Sequence, residues 1–159
     1  MKIGALEIVL ALLLLLTNWA GAYEAPQIWA LDGVSLAYSR YQMEATIGKS
    51  RWDRPLKATI GGETWEYNFS NGLKADFRDQ DRGRHPLILV GKRFTSRGIL
   101  LCKTGLTRPQ FIEKMGAPPL VEDDDQVVYY DQARLVYVTA YFVNGKAQEF
   151  VLSRFRIDK

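Results

Sequence analysis

Two side chains of the sequence carry the chemistry that a nucleophilic enzyme needs: a single histidine, His85, and a single cysteine, Cys102. A thiolate beside an imidazole base can attack a carbonyl carbon when a third group orients the base. His85 precedes Pro86 in a charged stretch typical of a solvated loop. Cys102 follows two leucines, which favours its interpretation as a small buried apolar residue. No spacing in the sequence brings the two together. The sequence therefore predicts no catalytic residue and no enzyme.

Metal, cofactor and nucleic-acid sites have equally little support. The acidic residues at 122–125 are consecutive, whereas calcium loops place their ligands at alternate positions around a glycine. There is no phosphate-binding glycine loop, paired-cysteine metal motif or nucleophile elbow. The formal net charge is +3, with basic residues scattered singly or in pairs, not in a stripe that follows phosphates. We expect no metal, no cofactor and no nucleic-acid partner.

The N-terminus has the pattern of a secretory signal. Lys2 precedes an uninterrupted apolar run over residues 8–16, and small residues follow at 20–22. Such a run is too short to span a bilayer, which takes about 20 residues in a helix. We expect a signal peptide over residues 1–22, cleaved after Ala22, with a retained anchor as the alternative. Residues 23–159 would then form a single globular domain, periplasmic or secreted, with no stable membrane insertion after cleavage.

Two short segments, residues 39–48 and 107–116, share the same helix signals 68 positions apart. Each begins with Ser or Thr followed three residues later by Gln, which predicts a capping box, and each ends in Gly. Apolar residues four apart give each helix one apolar face. They are Met43 and Ile47 in the first segment, and Phe111 and Met115 in the second. Because each helix has only about two turns, it must pack on another element.

Alternating or apolar strands follow each predicted helix. Residues 64–69 and 73–77 alternate around an Asn-Gly turn, residues 86–90 are continuously apolar and predict a central strand, and residues 134–143 and 147–154 flank a second Asn-Gly turn. The predicted fold class is α+β. It consists of two helix-plus-antiparallel-meander repeats in one small domain, each helix lying on its own sheet. Repeat one covers about 33–94, and repeat two covers about 98–157.

This order of signals resembles the repeat of the β-lactamase inhibitory protein fold and of the SmpA/OmlA outer-membrane assembly lipoproteins. Residues 107–116, 129–130 and 142–146 carry most of the likeness. The resemblance implies a role in binding other proteins, without catalysis. The lipidated cysteine of the lipoprotein branch and the disulfides of the inhibitor branch are both missing here, so outer-membrane tethering and particular partners are not implied.

The last hairpin supplies most of the predicted binding residues. If Asn144-Gly145 forms a two-residue turn, Thr139 faces Phe150, and both faces of the hairpin are apolar. One face packs on the second helix, and the other is covered either by the first repeat or by a partner. Trp52, flanked by arginines, is a further candidate anchor because Trp and Arg are enriched at binding hot spots. The candidate protein-binding residues are Trp52, Val136, Val138 and Phe142.

The predicted function is that of an exported, non-catalytic protein-binding module with a protein partner; no oligomeric state follows from the sequence. The alternative is a proteinaceous inhibitor of an extracytoplasmic hydrolase, whose loop at residues 118–125 enters the partner's cleft. A small enzyme is the least favoured hypothesis.

Overall fold

The computed structural model describes residues 29–50, 52–57, 63–78 and 83–157. Within these ranges the strands in chain order are β1 (Trp29–Leu31), β2 (Trp52–Lys57), β3 (Glu63–Asn68), β4 (Lys74–Phe77), β5 (Ile88–Gly91), β6 (Arg93–Ser96), β7 (Ile99–Lys103), β8 (Val121–Glu122), β9 (Gln126–Asp131), β10 (Val136–Val143) and β11 (Lys146–Ser153). The helices are α1 (Arg40–Ile47) and α2 (Arg108–Met115). The predicted signal segment, residues 1–22, lies outside the described residues.

Both helices begin where the sequence predicts. At α1 the Ser39 backbone amide donates to the Gln42 side-chain oxygen at 2.7 Å. At α2 the Thr107 amide donates to the Gln110 side-chain oxygen at 2.9 Å. Each bond pairs a backbone donor that the first helical turn leaves without a partner.

The two helices end differently. Gly116 has the left-handed conformation, with φ 68° and ψ 12°, that commonly stops a helix. Gly48 also has a positive φ of 86°, but its ψ of 166° places it in a region open almost only to glycine. Both amides still donate to a carbonyl of the last helical turn.

Two antiparallel sheets contain the described strands. Eight strands form one continuous sheet in the order β2-β3-β4-β5-β11-β10-β9-β8, and three form a smaller sheet in the order β1-β6-β7. The join in the large sheet is the β5–β11 pair, where Val90 lies opposite Val151. Pro55 lies in β2, which is an edge strand. Proline has no backbone N–H to donate, and sheets tolerate it mainly in edge strands.

The predicted fold class is wrong. The described part of the chain is mostly β, with eleven strands and two short helices, and its two antiparallel sheets do not form an α+β helix-plus-meander repeat. The prediction gave each helix its own sheet. Instead β5, at residues 88–91, pairs on one side with β4 and on the other with β11. A strand that is apolar on both faces is typical of a sheet centre, so this strand does not close a separate first sheet.

The predicted hairpin turns are present, and one register differs. Asn144 and Gly145 have φ of 51° and 73°, as a two-residue type I′ turn requires. A bulge between Tyr141 and Phe142 then shifts the pairing. Thr139 therefore faces Val151, and not Phe150 as the sequence predicts. A bulge inserts one extra residue in one strand, which no alternation pattern reveals.

One face of the large sheet packs against both helices and the small sheet. Phe150 from β11 lies at the centre of this core, with its ring centroid 6.5 Å from that of Phe94 in the small sheet and 5.6 Å from that of Phe111 in α2. Met43 of α1 and Leu31 of β1 are also fully buried there. The apolar faces predicted for the two helices are therefore confirmed.

In the part of the chain that the structure describes, neither helix has the length and apolar character needed to cross a membrane.

Candidate binding surface

The large sheet has a second face, opposite the core, which we call the outer face. Val121, Val128, Thr139, Val151 and Val90 lie directly opposite one another across five adjacent strands. Residues opposite one another share a face of the sheet. Val128 and Val151 are 2% and 3% exposed, although neither belongs to the core cluster. The outer face thus carries an apolar layer of its own.

An accessible apolar part of this face lies at the β9–β10 hairpin. We call it the tyrosine patch: Tyr130 and Tyr137, with Leu135 in the adjoining turn. The two tyrosines are opposite one another, with their rings tilted by 31° and their centroids 4.5 Å apart. Tyr130 is 39% exposed and Leu135 is 62% exposed. Tyrosine side chains give a large contact area and lose little conformational freedom on binding.

The turn that carries Leu135 is held by its own side chains. The Asp131 carboxylate accepts hydrogen bonds from the backbone amides of Ala133, at 3.0 Å, and Arg134, at 3.2 Å. It also forms an ion pair with the Arg134 guanidinium. Leu135 itself has a φ of 55°, a left-handed conformation that costs a leucine about 1–2 kcal/mol. A strained, exposed leucine in a fixed turn is a feature that folding alone does not favour.

Polar residues occupy the same face on the neighbouring strands. Glu66 lies opposite Asp76, and Asn68 lies opposite Lys74. The Asn68 side-chain amide donates to Glu66 at 3.1 Å, and Lys74 is exposed. The outer face therefore changes from apolar on β8–β11 to polar on β3 and β4. Because Val128, Thr139 and Val151 are buried, the accessible part of this face consists of the tyrosine patch and of polar residues such as Lys74.

The residues that the sequence predicts for binding lie elsewhere. Val138 and Phe142 are 0% and 3% exposed and belong to the core cluster, and Val136 packs against it. Val138 and Phe142 are therefore not accessible as surface contacts in this structure, and Val136 is half-buried. Trp52 is the first residue of the edge strand β2, where its backbone pairs with Asn68; its side chain lies outside what the structure describes.

The two residues with nucleophile or base chemistry are not poised for catalysis. His85 is exposed, as predicted. Cys102 is 1% exposed and belongs to the core, which confirms its prediction as a small buried residue. Burial raises the pKa of the Cys102 thiol from 9.0 to about 11, and the nearby charge of Lys114 lowers the pKa only in part. A reactive cysteine needs the opposite shift.

We expect Cys102 to be unreactive in the folded chain. A thiol reagent at pH 8 should label it at least about 100 times more slowly than in the denatured chain, because access and ionisation are both suppressed. The folded state keeps the thiol protonated up to about pH 11, whereas the unfolded thiol ionises near 9. The thiol's contribution to stability is therefore complete below pH 9 and is lost as the pH rises towards 11. Rapid labelling of the native chain would contradict this burial.

The acidic loop at residues 122–125 is ordered by its own side chains and by α2. Asp123 accepts hydrogen bonds from the Gln126 backbone at 2.8 Å and from its side chain at 3.0 Å. The side-chain bond is the main cause that lowers the pKa of Asp123. Arg108 donates to the Asp124 carbonyl and carboxylate at 3.2 and 3.3 Å. Among the described residues, no group of three or more His, Cys, Asp or Glu side chains is arranged to hold a metal ion.

The sequence analysis missed the tyrosine patch. Tyr130 and Tyr137 lie in strands that were predicted, but their exposure depends on which face packs on the helices. The conformation of Leu135 had no sequence signal, because the turn after Asp131 contains neither Gly nor Asn, the residues that usually mark a positive φ. The chain matches no protein-family model, no curated protein and no solved structure. Its likeness to the inhibitory protein fold stays a resemblance of local sequence signals.

Proposed function

We propose that this chain is an exported, non-catalytic protein-binding module whose contact surface is the outer face of the large sheet around the tyrosine patch. The observation that carries the proposal is the patch itself. Tyr130 and Leu135 are exposed, the half-buried ring of Tyr137 lies against that of Tyr130, and Leu135 has a positive φ in the turn between the two strands. Tyrosine is among the residues that contribute most at binding hot spots. The burial and raised pKa of Cys102 support the non-catalytic part, and the signal pattern of residues 1–22 supports export.

Rigidity strengthens the case for this surface. A partner that binds to an already ordered patch does not need to immobilise flexible side chains, which costs about 0.5–1.5 kcal/mol for each one. The Asp131 hydrogen bonds and the Asp131–Arg134 ion pair already fix the turn. On the polar part of the same face Lys74 is exposed and Asn68 is half-buried, so these two can make directional contacts with a partner.

The test is capture of a partner from the native envelope and the culture medium by tagged parent and variant chains. The patch variant carries Tyr130→Ala and Leu135→Ala. The matched control carries Tyr41→Ala and Leu120→Ala, because these two residues are 60% and 55% exposed and neither belongs to the patch. We expect the parent and the control to capture the same protein, and the patch variant to lose at least about tenfold in affinity, as loss of hot-spot residues does.

The control also separates the proposal from its alternative. Leu120 precedes the ordered acidic loop, so an inhibitor that inserts this loop into a hydrolase cleft would lose its partner in the Leu120 control and keep it in the patch variant. Equal capture by all three chains, or no capture by the parent, would overturn the proposed contact surface.

A further inference from the structure

The β6–β7 hairpin exposes two aliphatic side chains at its tip. Ile99 is 67% exposed and Leu100 is 44% exposed. Arg97 and Gly98 form the turn, with φ of 50° and 76°. Consecutive residues of a strand point to opposite faces. Since both leading residues of β7 are exposed, neither face at this end of the hairpin is covered.

The other end of the hairpin is anchored in the core. Phe94 and Cys102 lie opposite one another and are 0% and 1% exposed. The Phe94 ring packs edge-to-face with Trp29 of β1 at 5.7 Å. The hairpin thus has a buried base and an exposed apolar tip.

The hairpin is also strongly basic. Residues 82–112 contain no Asp or Glu, and Lys92, Arg93, Arg97 and Lys103 all belong to this stretch. These four side chains are exposed. The acid in the adjoining turn of the small sheet, Asp32, accepts a hydrogen bond from the Lys92 backbone amide at 2.7 Å.

Two of these cations face each other directly. Arg93 and Lys103 are register partners in the antiparallel pair. Like charges directly opposite one another destabilise a sheet. Their pairing works against folding, whereas a negatively charged surface would relieve the repulsion. Leu100, opposite Thr95, is on the same face as this pair, because Thr95 is two residues from Arg93.

We propose that the β6–β7 hairpin docks on a phospholipid surface that carries anionic headgroups, with Ile99 and Leu100 inserted and the cations bound to lipid phosphates. Basic side chains beside exposed apolar ones are the combination that holds a protein in the plane of such an interface. The proposal does not depend on the proposed function, because the hairpin belongs to the small sheet and the tyrosine patch to the large one.

The dimensions of the hairpin fit a shallow insertion. Arg93 and Lys103 are four or five residues from the tip, which is about 13–17 Å along a strand. An interfacial segment is buried by about 5–10 Å. When the tip lies at that depth, the opposed cations are about 3–12 Å above the boundary, a range comparable to the roughly 8–10 Å over which surface charge acts at physiological salt.

The test is co-sedimentation of the purified chain, in the form that the cell produces, with vesicles of phosphatidylcholine and phosphatidylglycerol. Vesicles of phosphatidylcholine alone are the lipid control. The tip variant carries Ile99→Ser and Leu100→Ser, and the charge variant carries Lys103→Glu. Leu120→Ser with Lys49→Glu is the matched control, since both residues are exposed and lie outside the hairpin.

We expect the parent to bind anionic vesicles and to be released by salt. The tip variant should lose about tenfold in partition coefficient, and the charge variant should lose a factor on the order of ten. The charge variant should also melt at a higher temperature than the parent, because it removes the like-charge pair. If Lys103 only stabilised the fold, Lys103→Glu would weaken binding and would also lower the melting temperature.

Binding that is equal on neutral vesicles, or unchanged in the tip and charge variants, would overturn the proposal. It would also be overturned by tight binding of a soluble polyanion or acidic protein that depends on Lys103 and is unaffected by Ile99→Ser and Leu100→Ser, because the hairpin would then recognise charge without a lipid surface.

Discussion

Replacing Phe111 with alanine should lower the free energy of unfolding by about 3–5 kcal/mol, the usual cost of removing a fully buried phenylalanine. Phe111 is 0% exposed. Its ring lies 5.8 Å from that of Tyr129, 6.2 Å from Phe142 and 5.6 Å from Phe150. The substitution therefore leaves a cavity where α2 meets the large sheet. Domains are stable by only about 5–15 kcal/mol in total, so this loss is a large fraction of the whole.

Denaturant unfolding followed by circular dichroism measures the effect. Tyr41→Ala on α1 is the control, because a 60% exposed side chain contributes within about 0.5 kcal/mol. Phe111→Leu should cost less than Phe111→Ala, since it retains most of the volume. A Phe111→Ala chain as stable as the parent would contradict the position of α2 on the sheet.

A second large effect is expected at Gly91, the last residue of β5. A Cβ atom there would lie 2.5 Å from the Asp32 carboxylate oxygen, 3.0 Å from the Leu31 Cβ and 3.2 Å from the Leu73 Cδ1. The end of β1 and the turn after it thus pass directly over the Gly91 backbone. Gly91→Ala should cost about 1–3 kcal/mol by overpacking, because Leu31 and Leu73 are both 0% exposed and cannot move aside.

A double-mutant cycle with Asp32→Gly separates this clash from a general effect on β5. Asp32 has a φ of 50°, which glycine adopts without cost, and its side chain is the nearest obstacle to a new methyl group. The second substitution should therefore recover part of the loss at Gly91, although it also removes the hydrogen bond to the Lys92 amide. Strictly additive effects would mean that the two positions do not touch.

Local signals in the sequence predicted the local structure well. The capping glutamines Gln42 and Gln110 and the Asn144-Gly145 turn act through neighbours within four residues, and all are found where expected. The continuous apolar run at residues 86–90 correctly indicated a central strand, since β5 pairs on both sides. Such features are readable because their cause lies in adjacent residues.

The arrangement of the sheets was not readable, and the binding surface depended on it. Neither the pairing of β5 with β11 nor the addition of β6 and β7 to β1 has a local signal, because both join segments far apart in sequence. The alternation of residues along β10 correctly predicted that Thr139 and Val138 lie on opposite faces of the sheet. Which of the two joins the core cluster is decided by packing, and it is Val138, although both are buried. The prediction of Val138 and Phe142 as contact residues depended on this step.

Footprinting of the captured complex by hydroxyl radicals tests the proposed contact surface most directly. Radical modification of a side chain falls when a partner covers it, so the free chain and the complex are compared residue by residue by mass spectrometry. We expect strong protection of Tyr130, Leu135 and Tyr137, with Tyr41 modified equally in both states. Unchanged modification of the tyrosine patch, with protection elsewhere on the chain, would contradict it.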